Sequence, residues 1–113
     1  MEEKRKFVRI TWPIIVRYKT LEEPHTGDQI VGKDISEGGV CFTVYERLTK
    51  GTILEVQIYF PSDTMPIFGK GEVVWIKRIG AEHAKTFEAG VAFTYIEPRD
   101  QKRLKMYIKN EMK

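Results

Sequence analysis

From residue 12 onward, apolar and polar side chains alternate with a period of two. WPIIVRYKT (12–20) sets Ile14, Val16 and Tyr18 on one face and Arg17 and Lys19 on the other. That is the pattern of a half-buried strand, with Pro13 tolerated near its start. LEEPHTGD (21–28) is polar, holds Pro and Gly, and reads as a hairpin loop. QIVGK then leads into DISEGG (34–39), and VCFTV follows with Val40, Phe42 and Val44 in phase. YERLTKG (45–51) reads as a short connector. TILEVQIYF (52–60) turns Leu54, Val56, Ile58 and Phe60 inward and Glu55 and Gln57 outward. PSDTMPIFG reads as a longer loop and KGEVVWIKRI (70–79) as a strand. HAKTFEAGVAFTYI (83–96) ends with Val91, Phe93 and Tyr95 on one face.

Five or six short strands with turn signals between them predict an antiparallel barrel or sandwich. Parallel pairing needs helical crossovers, and no helical period precedes residue 97. The tail, EPRDQKRLKMYIKNEMK, changes period. Pro98 suits the first turn of a helix, with Glu97 and Asp100 at its positive end. Leu104, Tyr107, Ile108 and Met112 follow at helical spacing, and lysines fill the other face. The expectation is one amphipathic C-terminal helix lying against a barrel.

The chain has 113 residues, 42% hydrophobic and 31% charged. This fits one domain able to bury a modest core. We divide it into an N-terminal segment (1–10), a barrel (11–96) and a helix (97–113). No apolar run is long enough to span a bilayer, and MEEKRKF has no apolar signal region. Cys41 is the only cysteine, which removes an internal disulfide and a cysteine zinc site. A cytoplasmic protein is expected. The net charge of +3 is unevenly spread. Residues 1–9 carry four Lys/Arg against two Glu, and residues 98–113 carry six against Asp100 and Glu111, so residues 10–97 hold a net −3. A barrel that binds nucleic acid more often carries its positive charge on the sheet and loops.

The chain shows little that could do catalysis. His25 and His83 lie in polar, loop-like stretches, and carboxylates are scattered on solvent-facing strand positions. No phosphate loop, nucleophile elbow or metal cluster is present, so neither an enzyme nor a metal cofactor is expected. Cys41 falls out of phase with Val40 and Phe42 and reads as a small strand residue. Two stretches remain. KRKFVR puts Arg5 and Arg9 four residues apart just before the first strand. Guanidiniums bind phosphate or a guanine edge bidentately and stack on bases. Alone, such a segment is more often a solvated basic tail. DISEGG spaces Asp34, Ser36 and Gly39 as D-x-S-x-x-G. Asp and Ser favour turns, and glycines supply positive φ. The same residues can serve a ligand: a carboxylate accepts from guanine N1–H and its amine, a hydroxyl donates, and glycine allows close approach. One stretch offers donors and the other an acceptor, and a guanine nucleotide needs both.

R-x-x-x-R followed by D-x-S-x-x-G resembles the PilZ domain family. The matches are Arg5, Arg9, Asp34, Ser36 and Gly39, followed by a GEVVWIKR strand, the GVAF stretch Gly90–Phe93 and an RLKMYI helix. The resemblance implies a six-stranded antiparallel β-barrel with a C-terminal helix. It also implies binding of the bacterial second messenger cyclic di-GMP. In such domains the arginines hold phosphate and guanine, the Asp and Ser hold a guanine, and the Gly shapes the turn. Trp75 either stacks on the ligand or lies in the core in phase with Val73. Lys4 occupies the position that influences whether one ligand or a stacked pair binds, and a cation suits the pair. Lys6 either adds phosphate affinity or is an exposed tail lysine. We expect a ligand-triggered switch read by an effector protein, in a monomer or a ligand-dependent dimer. Two rivals stay open: a barrel that binds single-stranded nucleic acid, and an adaptor that ignores nucleotide. The acidic body speaks against the first.

Overall fold

The computed structural model describes residues 14–20, 30–61, 64–81 and 85–111. They form β1 (Ile15–Thr20), β2 (Ile30–Ile35), β3 (Gly39–Val44), β4 (Ile53–Tyr59), β5 (Ile67–Ile79), β6 (Thr86–Ile96) and α1 (Pro98–Glu111). The strands pair antiparallel and close in the order β1-β2-β3-β6-β5-β4. This is the expected six-stranded barrel with a C-terminal helix.

Closure turns one face of every strand inward. Ile14, Val16 and Tyr18, then Val40, Phe42 and Val44, then Leu54, Val56, Ile58 and Phe60 are all buried, as the alternation predicts. Each such side chain stabilises the fold by about 1.5–3 kcal/mol when removed from water. Tyr18 packs on Phe42 with ring centroids 5.6 Å apart. Its hydroxyl donates to Glu46 Oε2 at 2.5 Å, which satisfies the buried phenol. The seams differ in length. β1 pairs with β4 at six positions, from Ile15↔Tyr59 to Thr20↔Leu54. It pairs with β2 at Ile15↔Val31 and Val16↔Ile30.

Three features depart from the expected pattern. First, β5 starts at Ile67, inside the stretch read as a loop. Ile67 is fully buried opposite Ile58. Gly69 belongs there because a Cβ would lie 2.6 Å from Ile96 Cδ1 and 2.7 Å from the Tyr95 carbonyl oxygen. The glycine marks close packing, not a turn. Second, the strand does not stop at Asp34. β2 runs on to Ile35, and only Ser36, Glu37 and Gly38 lie between it and β3. Third, the β5–β6 pair holds two bulges. Val74 is an extra residue on β5, between Val73↔Val91 and Trp75↔Gly90, and Thr94 is extra on β6, between Gly71↔Phe93 and Lys70↔Tyr95. Each extra residue reverses the in–out phase. The expected common face of Val91, Phe93 and Tyr95 is therefore broken. Val91 is buried, Phe93 is half-buried, and Tyr95 points outward while Ile96 turns in.

In α1, Leu104 and Ile108 are buried and Tyr107 packs partly against the core, as the spacing predicts. Met112 lies outside the described residues. Tyr107 stacks on Phe60 at 4.2 Å, which ties the helix to the end of β4. No helix among the described residues is long and apolar enough to cross a membrane.

Candidate functional site

The D-x-S-x-x-G stretch is a tight hairpin. Ile35 pairs with Val40, and the Ser36 N–H donates to the Gly39 carbonyl at 2.9 Å. Ser36 is buried, and its Oγ accepts from the Gly38 N–H at 3.1 Å. The side chain thus closes the turn over Glu37. The glycines have a reason other than the expected one. Positive φ occurs at Gly51 and Gly80, not at Gly38 or Gly39. Gly39 is needed because a Cβ would lie 2.3 Å from the Val91 carbonyl oxygen. The hairpin is pressed onto β6, where the Phe93 N–H donates to the Gly38 carbonyl at 2.9 Å.

Register carries the site across the barrel wall. Asp34 pairs with Cys41, Cys41 with Gly90, and Gly90 with Trp75. Residues directly opposite in a ladder project to the same face. The flanking Ile35, Val40, Ala89, Val91 and Val73 are buried inside. The row Asp34–Cys41–Gly90–Trp75 therefore runs along the outer face of β2, β3, β6 and β5. Trp75 is half-buried and lies on Gly90. A Cβ at position 90 would sit 2.2 Å from the indole Cε2 and Nε1. With strands about 4.8 Å apart, the ledge under the indole is about 10 Å from the Asp34 backbone. Trp75, read as either stacking on the ligand or lying in the core, projects from the outer face and is half-buried. The bulge at Val74 breaks its phase with Val73. Cys41 points outward yet is buried, so it lies covered within the row.

The neighbouring rows carry mixed charge. Thr43, Glu88 and Lys77 pair in sequence on one side, and Gly39, Ala92 and Glu72 on the other. Below the hairpin tip, a hollow of about 320 Å³ separates Glu37 from Gln101 and Lys105 of α1. The hairpin, β6 and the helix thus meet at one place.

Asp34, Ser36, Gly39 and Trp75 are thus located, with Ser36 and Gly39 at the turn that ends Asp34's strand. Arg5 and Arg9, with Lys4 and Lys6, lie outside the described residues, as do His25 and His83. Sequence reasoning gave no role to Gly90. Its signal was present: a glycine inside the FEAGVAF strand marks close approach of another group. Lys77, two residues from Trp75 on the same face, was likewise passed over. Among the described residues no cluster of His, Cys, Asp and Glu could hold a metal ion.

Compared with known families, the chain matches the PilZ domain over residues 3–110. No curated protein matches it in sequence. Among solved structures it is similar to the Bacillus subtilis inhibitor of motility MotI/DgrA, with 20% identity and a TM-score of 0.75, over 98% of this chain and 53% of that one. It is similar to Escherichia coli YcgR in complex with c-di-GMP, with 18% identity and a TM-score of 0.76, over 97% of this chain and 46% of that one. The isolated PilZ domain of YcgR with c-di-GMP gives 15% identity and a TM-score of 0.71, over 96% of this chain and 91% of that one. The chain spans about half the length of MotI/DgrA and of YcgR.

Proposed function

The chain belongs to the PilZ domain family, and on that premise we propose that it is a receptor for cyclic di-GMP. The ligand lies on the outer face of β2, β3, β6 and β5. The Asp34 carboxylate and the Ser36 hydroxyl hold one guanine, and Trp75 offers a face for a base to stack on. Arg5 and Arg9 grip phosphate and guanine from the N-terminal segment, and Lys4 and Lys6 add positive charge. Gly39 lets the hairpin sit close to β6, which sets the height of Asp34 above the wall. The observation that carries this reading is the row itself: Asp34 and Trp75, 41 residues apart, share one face through three consecutive pairings.

The output is a switch and not a reaction. A doubly anionic ligand draws the two arginines onto the barrel, and the ion contacts must exceed the entropy lost when that segment is ordered. A partner protein then reads the rearranged surface. Glu72 and Glu88 flank the row and disfavour an extended nucleic-acid backbone there, which sets the single-stranded nucleic acid reading below this one.

Calorimetric titration with cyclic di-GMP tests the assignment. The parent binds, while Asp34→Ala, Arg9→Ala and Trp75→Ala each lose about 1–3 kcal/mol, roughly five- to 150-fold in Kd. The same titration gives the ligand number, one or a stacked pair. Equal affinity in parent and variants, with unchanged melting curves, would sink the site.

A further inference from the structure

A second surface lies on the other side of the barrel. Register puts Arg17, Gln57 and Phe68 in one outward row across β1, β4 and β5, and Lys19, Glu55, Lys70 and Tyr95 in the next. These rows wall a groove of about 370 Å³. Phe68 also forms one side of an adjoining hollow of about 290 Å³, with Met65, Pro66, Arg99 and Arg103. Phe68 is 48% exposed, Tyr95 51% and Met65 62%. Three large apolar side chains thus stand in water around two joined concavities. Apolar patches of this kind on a small protein mark interaction sites, and aromatic residues with arginine dominate binding energy at interfaces.

The charges around Phe68 select the partner. Two of the three carboxylates are ion-paired, and the third accepts a hydrogen bond. Glu55 faces Lys19 Nζ at 3.7 Å, Asp100 faces Arg103 Nη1 at 2.9 Å, and Glu97 accepts from the Tyr95 hydroxyl at 3.3 Å. Among the described residues, Arg17, Lys70 and Arg99 are paired with no carboxylate. The surplus at the rim is cationic, so the complementary partner is acidic. A second copy meeting this surface about a twofold axis would oppose cation to cation. The apolar face of α1 is buried on the barrel and is not offered to a lipid surface.

We propose that the surface around Phe68 docks an acidic segment of a partner protein. An apolar side chain of the segment packs on Phe68 and Tyr95, and its carboxylates meet Arg17, Lys70 and Arg99. This docking surface is separate from the one that the ligand rearranges, and it does not rest on nucleotide binding.

Site-specific photocrosslinking in the native host tests it. Phe68→p-benzoylphenylalanine is compared with Tyr45→p-benzoylphenylalanine, since Tyr45 is 67% exposed and lies outside both concavities. The expected result is one discrete protein adduct from position 68 that is absent from position 45. Its crosslinked peptide carries more Asp and Glu than Lys and Arg. Adding Lys70→Glu reduces its yield at least fivefold, with or without cyclic di-GMP. Arg99→Glu, on a different element, repeats the comparison if Lys70→Glu fails to give a cooperative melt. The proposal is overturned by adducts with nucleic acid, lipid or another copy of this chain. It is equally overturned by no adduct, by the same adducts from both positions, or by a yield that charge reversal leaves unchanged.

Discussion

Two glycines on β3 and β6 carry the residue-scale argument, because the atom each one meets decides what a methyl group would do. A Cβ at position 39 would lie 2.3 Å from the Val91 carbonyl oxygen, which is backbone fixed in the β3–β6 ladder. Gly39→Ala must separate two paired strands, and urea unfolding should show a loss of about 1–3 kcal/mol. A Cβ at position 90 meets the indole of Trp75, which turns about its own χ angles at smaller cost. Gly90→Ala should keep most of the stability and change the Trp75 emission, measured in a Trp12→Phe background. The sequence makes both glycines conspicuous but does not say which kind of neighbour each one has. Positive φ was the natural guess at Gly39, and it is wrong because the neighbour is 52 residues away. At Tyr95 the neighbour is close in sequence. The Glu97 carboxylate, by its charge first, then slight desolvation and their hydrogen bond, holds this exposed phenol above the ordinary tyrosine range. Deprotonation would set two negative charges side by side. Glu97→Gln should therefore lower the Tyr95 ionisation toward the ordinary value, followed by the ring-carbon chemical shift during a pH titration.

At the scale of elements, existence and type were legible, while phase and boundaries were not always. Strict alternation in β1, β3 and β4 is enough to name their inward residues. It fails in β5 and β6, where Val74 and Thr94 are extra and each reverses the faces beyond it. A bulge arises from pairing with a partner strand, so one strand's pattern cannot reveal it. That is why Trp75 could be read as core. The helix boundary was legible from Pro98, but the role of Asp100 was only half visible. It sits in the first turn, where an acidic group suits the helix dipole. It also accepts from the Phe68 N–H at 3.1 Å and from Arg103 Nη1 at 2.9 Å. Arg103 in turn donates to the Pro66 carbonyl at 3.2 Å and the Met65 carbonyl at 2.5 Å. Together they fasten the β4–β5 connection to α1. Asp100→Ala leaves the part-buried Phe68 N–H and the Arg103 guanidinium short of an acceptor. It should cost about 1–3 kcal/mol in urea unfolding and speed amide exchange at Phe68 relative to the barrel core.

At the scale of the whole molecule, the closed sheet separates two surfaces with different demands. The wall formed by β2, β3, β6 and the C-terminal half of β5 carries Asp34 and Trp75. The wall formed by β1, β4 and the start of β5 carries Phe68. β5 and β6 run through both. Asp34 and Trp75 could be named from the sequence, but their place on one face could not, since it depends on register across four strands.

The central claim is that cyclic di-GMP binds along the row from Asp34 to Trp75. Amide and indole NMR shifts during a titration of the isotopically labelled chain test it most directly. The account predicts saturable shifts at Asp34, Cys41, Gly90 and the Trp75 indole N–H, joined by Arg5 and Arg9, with little change at Arg17, Gln57 and Phe68. Saturable binding that leaves the row unmoved and shifts the Phe68 wall, or no response to the nucleotide at all, would contradict it.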